Sequence, residues 1–351
     1  MKYKLLGRSG MRVSEICFGA MTFGEETGFG APKEECRKMY DTFVEVGGNF
    51  IDTADLYGYG ISENMLGDFI GSNRDRIVLA TKFTSNMSAD DPNGGGNQKK
   101  HMVQALEHSL KRLNTDYVDV YWIHHWDFTT PIVEVMRALD DQVRAGKVLH
   151  IGASNTPAWV ISYANAIAEE RGWTPFSAMQ LHYNLVERSI ESDFFALANA
   201  QDMAITPWSP LAGGLLTGKF DRDADKKARK GSRIDDGKWP VGVTEEKVAV
   251  SEKASTIARE IGQTTAQVAL KWMMQHPSGR VVPIAGARNL DQLKDNLGAT
   301  EFDLTDEQLG TLNEVSAVVP RYPASLLGNP FMKRMIMGNM GDKIINHHDP
   351  R

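Results

Sequence analysis

The sequence predicts an α/β protein folded as a (β/α)8 TIM barrel, with an N-terminal β-hairpin and a C-terminal extension. Three observations predict it. Eight short apolar runs are each followed by an amphipathic, helix-like stretch. The runs are nearly continuous in hydrophobicity rather than alternating, as strands buried on both faces are. The 351 residues suit eight such units plus extensions. A doubly wound open sheet is the alternative. It would usually carry a Gly-rich dinucleotide loop after its first strand, and "CFGAMTFGEETGFG" lacks the G-x-G-x-x-G spacing.

The elements follow in order. "YKLLGRSGMRVSEI" predicts a hairpin turning at Ser9-Gly10. "EICFGAM" then leads into helical "KEECRKMYDTFVEVGG", "NFIDTA" into "SENMLGDFIG", and "IVLATKF" into "KKHMVQALEHSLKRLN". "YVDVYWIHH" leads into "PIVEVMRALDDQVRAGK", "VLHIGASN" into "PAWVISYANAIAEERG", and "SAMQLHYN" into "SIESDFFALANAQ". "MAITPWSPL" leads, after a long loop, into "TAQVALKWMMQHP", and "VVPIAGA" into "NLDQLKDNLG". Ser62, Thr156 before Pro157, and Asn289 stand where helix N-caps belong. Three segments fall outside the repeat. "SNMSADDPNGGGNQ" reads as a flexible loop. The charged stretch over residues 221–242 reads as a solvated linker or a lid. The tail after Ala317 has no clear periodicity.

The chain reads as one domain over residues 1–351, the barrel spanning about 12–300 and a C-terminal helix and tail about 301–351. Its 42% hydrophobic content supplies a sizeable core, and its net charge of −6 gives no basic footprint for nucleic acid. No stretch approaches the roughly 18 apolar residues of a membrane helix. The N-terminus lacks the apolar core of a signal peptide. The two cysteines, Cys17 and Cys36, have no metal-ligand spacing. The expectation is a cytoplasmic protein with no metal, nucleic-acid partner or membrane partner. Oligomeric state is not legible.

In such a barrel, chemistry sits at the C-terminal ends of the strands. The second barrel strand ends in Asp52, with Tyr57 in the loop beyond. The third carries Lys82, and the fourth His124 and His125. The fifth carries Ser154 and Asn155, the sixth Gln180, the seventh Trp208 and Ser209. Asp, Tyr, Lys and His make chemical sense together. A phenol is a poor acid at neutral pH, a nearby ammonium stabilises its phenolate, and a carboxylate holds the ammonium in place. Such a phenol donates a proton to a developing alkoxide, and a neutral imidazole beside it orients the carbonyl. No nucleophile with its base and no metal set accompanies them, so a nicotinamide cofactor is the expected source of reducing equivalents. A barrel glycosidase would need paired carboxylates, and Asp52 has no partner at the strand ends. Trp126, Phe128, Tyr59, Phe23 and Trp239 are candidates for an apolar mouth above these residues, or for ordinary packing.

At these residues the sequence resembles the aldo-keto reductase superfamily. "NFIDTADLYGYGISENMLG" is similar to its G-x-N-x-x-D-T-A-x-x-Y-G-x-S-E-x-x-L-G signature, with a longer segment between Tyr57 and Ser62-Glu63. "LATKF", "DVYWIHHWD", "GASN", "MQLHYN", "TPWSPLAGGLLTGKF" and "VPIAGARNLDQLKDN" match as well. The likeness runs from about residue 3 to about 316 and leans toward the microbial and potassium-channel beta-subunit branches. It implies NADPH-dependent reduction of a small-molecule aldehyde or ketone by a tetrad of Asp52, Tyr57, Lys82 and His124, with Tyr57 the proton donor. It implies that Ser154, Asn155 and Gln180 hold the nicotinamide carboxamide and that Trp208 stacks on the ring. Ser209, Leu211, Gly213 and Lys219 would follow the pyrophosphate; Arg288, Gln292 and Asn296 would take the adenosine phosphate and adenine. A lysine that some members carry after the equivalent of Pro283 is Ile284 here, which leaves the 2′-phosphate to Arg288. The resemblance also raises an alternative, a cofactor-binding regulatory subunit like the channel beta subunits. The presence of all four tetrad residues, and of no basic or amphipathic arm before the barrel, favours the enzyme.

Overall fold

A computed structural model describes residues 1–26, 28–229, 234 and 242–345. Trp239 and much of the 221–242 segment lie outside the described residues. Strands β1 (Tyr3–Leu5) and β2 (Arg12–Ser14) pair antiparallel, as the hairpin signal at Ser9-Gly10 predicts. Eight parallel strands follow: β3 (Cys17–Gly19), β4 (Phe50–Asp52), β5 (Val78–Phe83), β6 (Val118–Ile123), β7 (Val148–Ser154), β8 (Ala178–Gln180), β9 (Ala204–Ile205) and β10 (Ile284–Gly286). Their order is β10-β3-β4-β5-β6-β7-β8-β9. The ring closes because Ile205 N–H donates to the Arg280 carbonyl and Val282 N–H to the Ile205 carbonyl. This is the (β/α)8 barrel that eight uninterrupted apolar runs require.

Helices α1 (Lys33–Glu45), α2 (Ile61–Ile70), α3 (Lys99–Leu113), α4 (Ile132–Arg144), α5 (Ala158–Arg171) and α6 (Phe194–Ala200) each follow one strand. Two helices, α7 (Glu245–Glu260) and α8 (Thr265–Met274), separate β9 from β10, and α9 (Leu290–Gly298) follows β10. The long loop expected before "TAQVALKWMMQHP" therefore contains a helix. α7 is capped by Thr244 and buries mostly small residues, Ser251, Ala254, Ser255 and Ala258, which mute its periodicity. Asn289 caps α9 through the Gln292 N–H, as expected. The other two caps are corrected. Ser62 lies inside α2, where its hydroxyl bonds Ala20 O and Thr53 Oγ1. Thr156 turns its hydroxyl back to Ser154 O, and Pro157 precedes α5. The tail forms α10 (Asp306–Val315), closed by a Thr305–Gln308 capping box, then the short α11 (Ala324–Leu327) and α12 (Pro330–Met337).

Strand parity positions the site. Along each strand, alternate residues face the barrel interior and the helix layer. The interior cluster contains Cys17, Phe50, Val78, Ala80, Val120, Trp122, Ala178 and Ala204; their neighbours Phe18, Ile51, Leu79, Tyr121 and Met179 belong to the layer under the helices. Two residues beyond these interior positions stand Asp52, Lys82, His124 and Gln180, which therefore face the barrel axis at its C-terminal mouth. The large Trp122 ring fits inside because residue 152 is glycine: a Cβ there would collide with the ring.

Candidate active site

Lys82 is the anchor. Its side chain is 0% exposed, and its Nζ donates to Asp52 Oδ2 at 2.5 Å, to Thr53 O at 2.7 Å and to the Tyr57 hydroxyl oxygen at 3.1 Å. An ammonium has three N–H donors, and here each has an acceptor. Burial alone would drive the Lys82 pKa down, but the Asp52 carboxylate and Tyr57 oxygen more than reverse this, and the amine is held above its ordinary value. Burial pushes the Asp52 carboxyl above the usual range against the pull of Lys82. Gln180 Nε2 donates to its second oxygen at 2.9 Å.

Tyr57 is carried by a tight turn, Tyr57–Gly60, in which Gly58, Tyr59 and Gly60 all have positive φ. Three left-handed residues in a row reverse the chain within one turn, and two of them are glycine, which adopts that region without strain. His124 packs edge-on to the Tyr57 ring, centroids 5.9 Å apart, and stacks on His125 at 4.2 Å. Burial, then Lys82 and His125, lower the His124 pKa to about 2, so its imidazole is neutral. Its buried Nδ1 has no hydrogen-bond partner among the described residues. Thr84, just past β5, holds the unusual φ of 107° for a β-branched residue. Its hydroxyl donates to Asn97 Oδ1 at 2.7 Å and accepts from His124 N–H at 3.2 Å. Asn97 in turn bonds Asp127 and the His125 carbonyl, so the far end of the loop read as flexible is tied under the two histidines.

A cavity of about 620 Å³ opens above this group. Every site residue expected from sequence lines it except Lys82, which lies buried beneath. Near the tetrad, Asn155 Nδ2 donates to His124 O and Ser154 Oγ, and its Oδ1 accepts from Trp208 Nε1 at 3.1 Å. The Trp208 ring lies flat on His182, centroids 4.2 Å apart. Ser209, Leu211, Gly213 and Lys219 form one wall, in a turn where Ser209, Ala212, Gly213 and Gly214 all have positive φ. Arg288, Gln292 and Asn296 line the far end; Gln292 Oε1 accepts the Arg288 N–H, and Asn296 Nδ2 donates to Gly286 O.

Of the two roles left open for the aromatic residues, the described ones do not form a mouth to the cavity. Phe23 is 1% exposed and packs against Phe18 and Phe69 in the core. Tyr59 and Phe128 are exposed, Trp126 packs against the core, and none of the three lines the cavity. The apolar lining of the cavity instead includes Met21, Phe29 and Leu56, the last beside Tyr57 in sequence. Met21 stands two residues past the end of β3, so strand-end reading extended to the first barrel strand reaches it. Thr84 and Asn97 left no signal, because their role depends on a loop conformation.

Fold and site define a class: a parallel β/α barrel with a buried lysine–aspartate pair beneath a tyrosine at the strand C-termini. The aldo/keto reductase family pattern matches residues 15–317. The chain is 36% identical over 332 residues to a putative aryl-alcohol dehydrogenase of Saccharomyces cerevisiae, covering 92% of this chain and 88% of that protein. It is 35% identical to the norsolorinic acid reductase of Aspergillus flavus, covering 92% and 83%, and 36% identical to the aryl-alcohol dehydrogenase [NADP(+)] of Phanerodontia chrysosporium, covering 91% and 87%. The chain belongs to the aldo/keto reductase family and is an oxidoreductase. Among the described residues, no helix is long and apolar enough to cross a membrane.

Proposed function

We propose that the protein reduces aldehydes and ketones to alcohols with NADPH, and that Tyr57 is the general acid. The observation that carries this reading is the fully buried Lys82 ammonium 3.1 Å from the Tyr57 oxygen. A cation there favours the phenolate that remains after proton transfer.

The cavity residues fit a nicotinamide dinucleotide. The cavity is lined from Tyr57 to Arg288, with the amides of Asn155 and Gln180 by the tetrad and a guanidinium by Gln292 and Asn296, and Arg suits a phosphate. Ser154, Asn155 and Gln180 would hold the carboxamide, and Trp208, backed by His182, the ring. Ser209, Leu211, Gly213 and Lys219 would follow the pyrophosphate, and Arg288, Gln292 and Asn296 the adenosine end. A nicotinamide held by these residues would supply the hydride for the carbonyl carbon. The chain's own residues do the rest. Neutral His124 orients the carbonyl oxygen, and the Tyr57 hydroxyl gives that oxygen its proton. Lys82, held by Asp52 and Thr53, stabilises the phenolate until solvent reprotonates it.

The names of the relatives point to aromatic carbonyl compounds as the first to test, and the Met21 and Leu56 lining suits an apolar substrate. The test is a panel of aryl and aliphatic aldehydes followed through the loss of NADPH absorbance. Turnover dependent on the aldehyde supports the proposal. Tight NADPH binding without turnover of any carbonyl would favour the regulatory-subunit reading instead.

A further inference from the structure

The loop between β3 and α1 is built onto the far end of the cavity. It folds back on itself, with Gly24 N–H donating to Ala31 O at 3.0 Å and Ala31 N–H to Thr22 O at 2.8 Å. Two bonds then clasp it to the segment around Arg288. Thr22 Oγ1 donates to Ala287 O at 2.6 Å, and Glu35 Oε1 in α1 accepts the Leu290 N–H at 2.8 Å. These anchors stand one residue before and two residues after Arg288. Between them the loop places Phe29, which lines the cavity, with the Arg288 guanidinium carbon over its ring 4.8 Å from the centroid.

We propose that Phe29 is a cofactor-specificity residue, whose ring holds the Arg288 guanidinium ready for the phosphate at the ribose 2′ position. A guanidinium binds an aromatic ring through its flat face and a phosphate through the N–H groups at its edge. The two contacts are compatible, so a guanidinium resting over the ring keeps its N–H edge for the phosphate. It restricts a long side chain that would otherwise be immobilised only on binding, a cost the 2′-phosphate interaction would have to offset. NADH lacks that phosphate and gains nothing from the restriction. The inference rests on the assignment of Arg288 to the 2′-phosphate.

The test titrates NADPH and NADH against the wild type and the variants Phe29→Ala, Phe29→Tyr, Arg288→Ala and the Ala/Ala double mutant, read by quenching of tryptophan fluorescence. Ordering one such side chain corresponds to about two- to twelvefold in affinity. Phe29→Ala should weaken NADPH by that factor and leave NADH unchanged. Phe29→Tyr, which keeps the ring, should behave as wild type. The double mutant should bind NADPH no more weakly than Arg288→Ala. Equal losses for both cofactors in Phe29→Ala would overturn the inference, because they would mean the ring supports only the loop. So would losses that multiply in the double mutant. If Arg288→Ala discriminates the cofactors and Phe29→Ala does not, this inference alone fails. If Arg288→Ala itself fails to discriminate, the 2′-phosphate assignment fails and takes this inference with it.

Discussion

Lys82 has no solvent to fall back on, so its three acceptors account for its charge. One is Tyr57, which makes the lysine and the tyrosine one unit. General acid catalysis contributes about 10²–10⁴-fold, so Tyr57→Phe should lose carbonyl reduction by that factor or more while keeping NADPH affinity. Lys82→Met should lose a comparable amount, since the phenolate left by proton transfer would then have no cation beside it. Residues acting as a unit are non-additive, and the double mutant should be little worse than either single one. Rates are to be normalised to folded protein, because Lys82→Met leaves the Asp52 carboxylate buried without its counter-charge, at a cost of about 3–5 kcal/mol. Single-mutant losses that multiply in the double mutant would show that the lysine does not work through the tyrosine.

At the scale of elements, the parity of the strands decides which side chains meet. The placement of Asp52, Lys82, His124 and Gln180 at the barrel mouth was legible because each stands at the end of an apolar run, two places beyond an interior-facing residue. The same parity sets His124, two places beyond Trp122, apart from His125; in the sequence both stand at the strand end, and only the family resemblance chose between them. What was not legible depends on contacts between distant residues. The hydroxyl of Ser62 is drawn to Ala20 and Thr53 on neighbouring elements, overriding its cap propensity. Phe23 sits in a loop by sequence and in the core by packing. Gly152 reads as an ordinary strand glycine until Trp122 is seen beside it. That contact makes a prediction. Gly152→Ala forces the buried Trp122 to move, and overpacking costs about 1–3 kcal/mol. The urea midpoint should fall accordingly, with the slope of the transition unchanged. An undiminished midpoint would mean that β7 can shift away from β6 at little cost.

For the molecule as a whole, stability should depend on pH through groups whose folded environment resists their charged form. His124 and His276 are lowered by burial to about 2 and about 4. Between those values and their unfolded value near 6.5, the unfolded chain binds more protons, so these histidines make stability fall as the solution is acidified. Asp55 acts the other way. It is 1% exposed, neither carboxylate oxygen makes a well-formed hydrogen bond, and burial followed by Glu63 raises its pKa to about 7. The unfolded carboxyl titrates near 3.9. Over the window from about 4 to 7 the folded state therefore holds the extra proton, and the stability it confers is present below that window and lost as pH rises through it. Above pH 7 the carboxylate is ionised in a site that solvates it poorly, only two residues before Tyr57. Asp55→Asn removes that charge and keeps the shape of the side chain. Thermal unfolding should accordingly show the variant more stable than wild type at pH 8, with the difference shrinking toward pH 4, where the wild-type carboxyl is neutral in the folded protein. A difference that stays constant from pH 4 to pH 8 would mean that Asp55 is not protonated in this window, and that the turn carrying Tyr57 tolerates its charge.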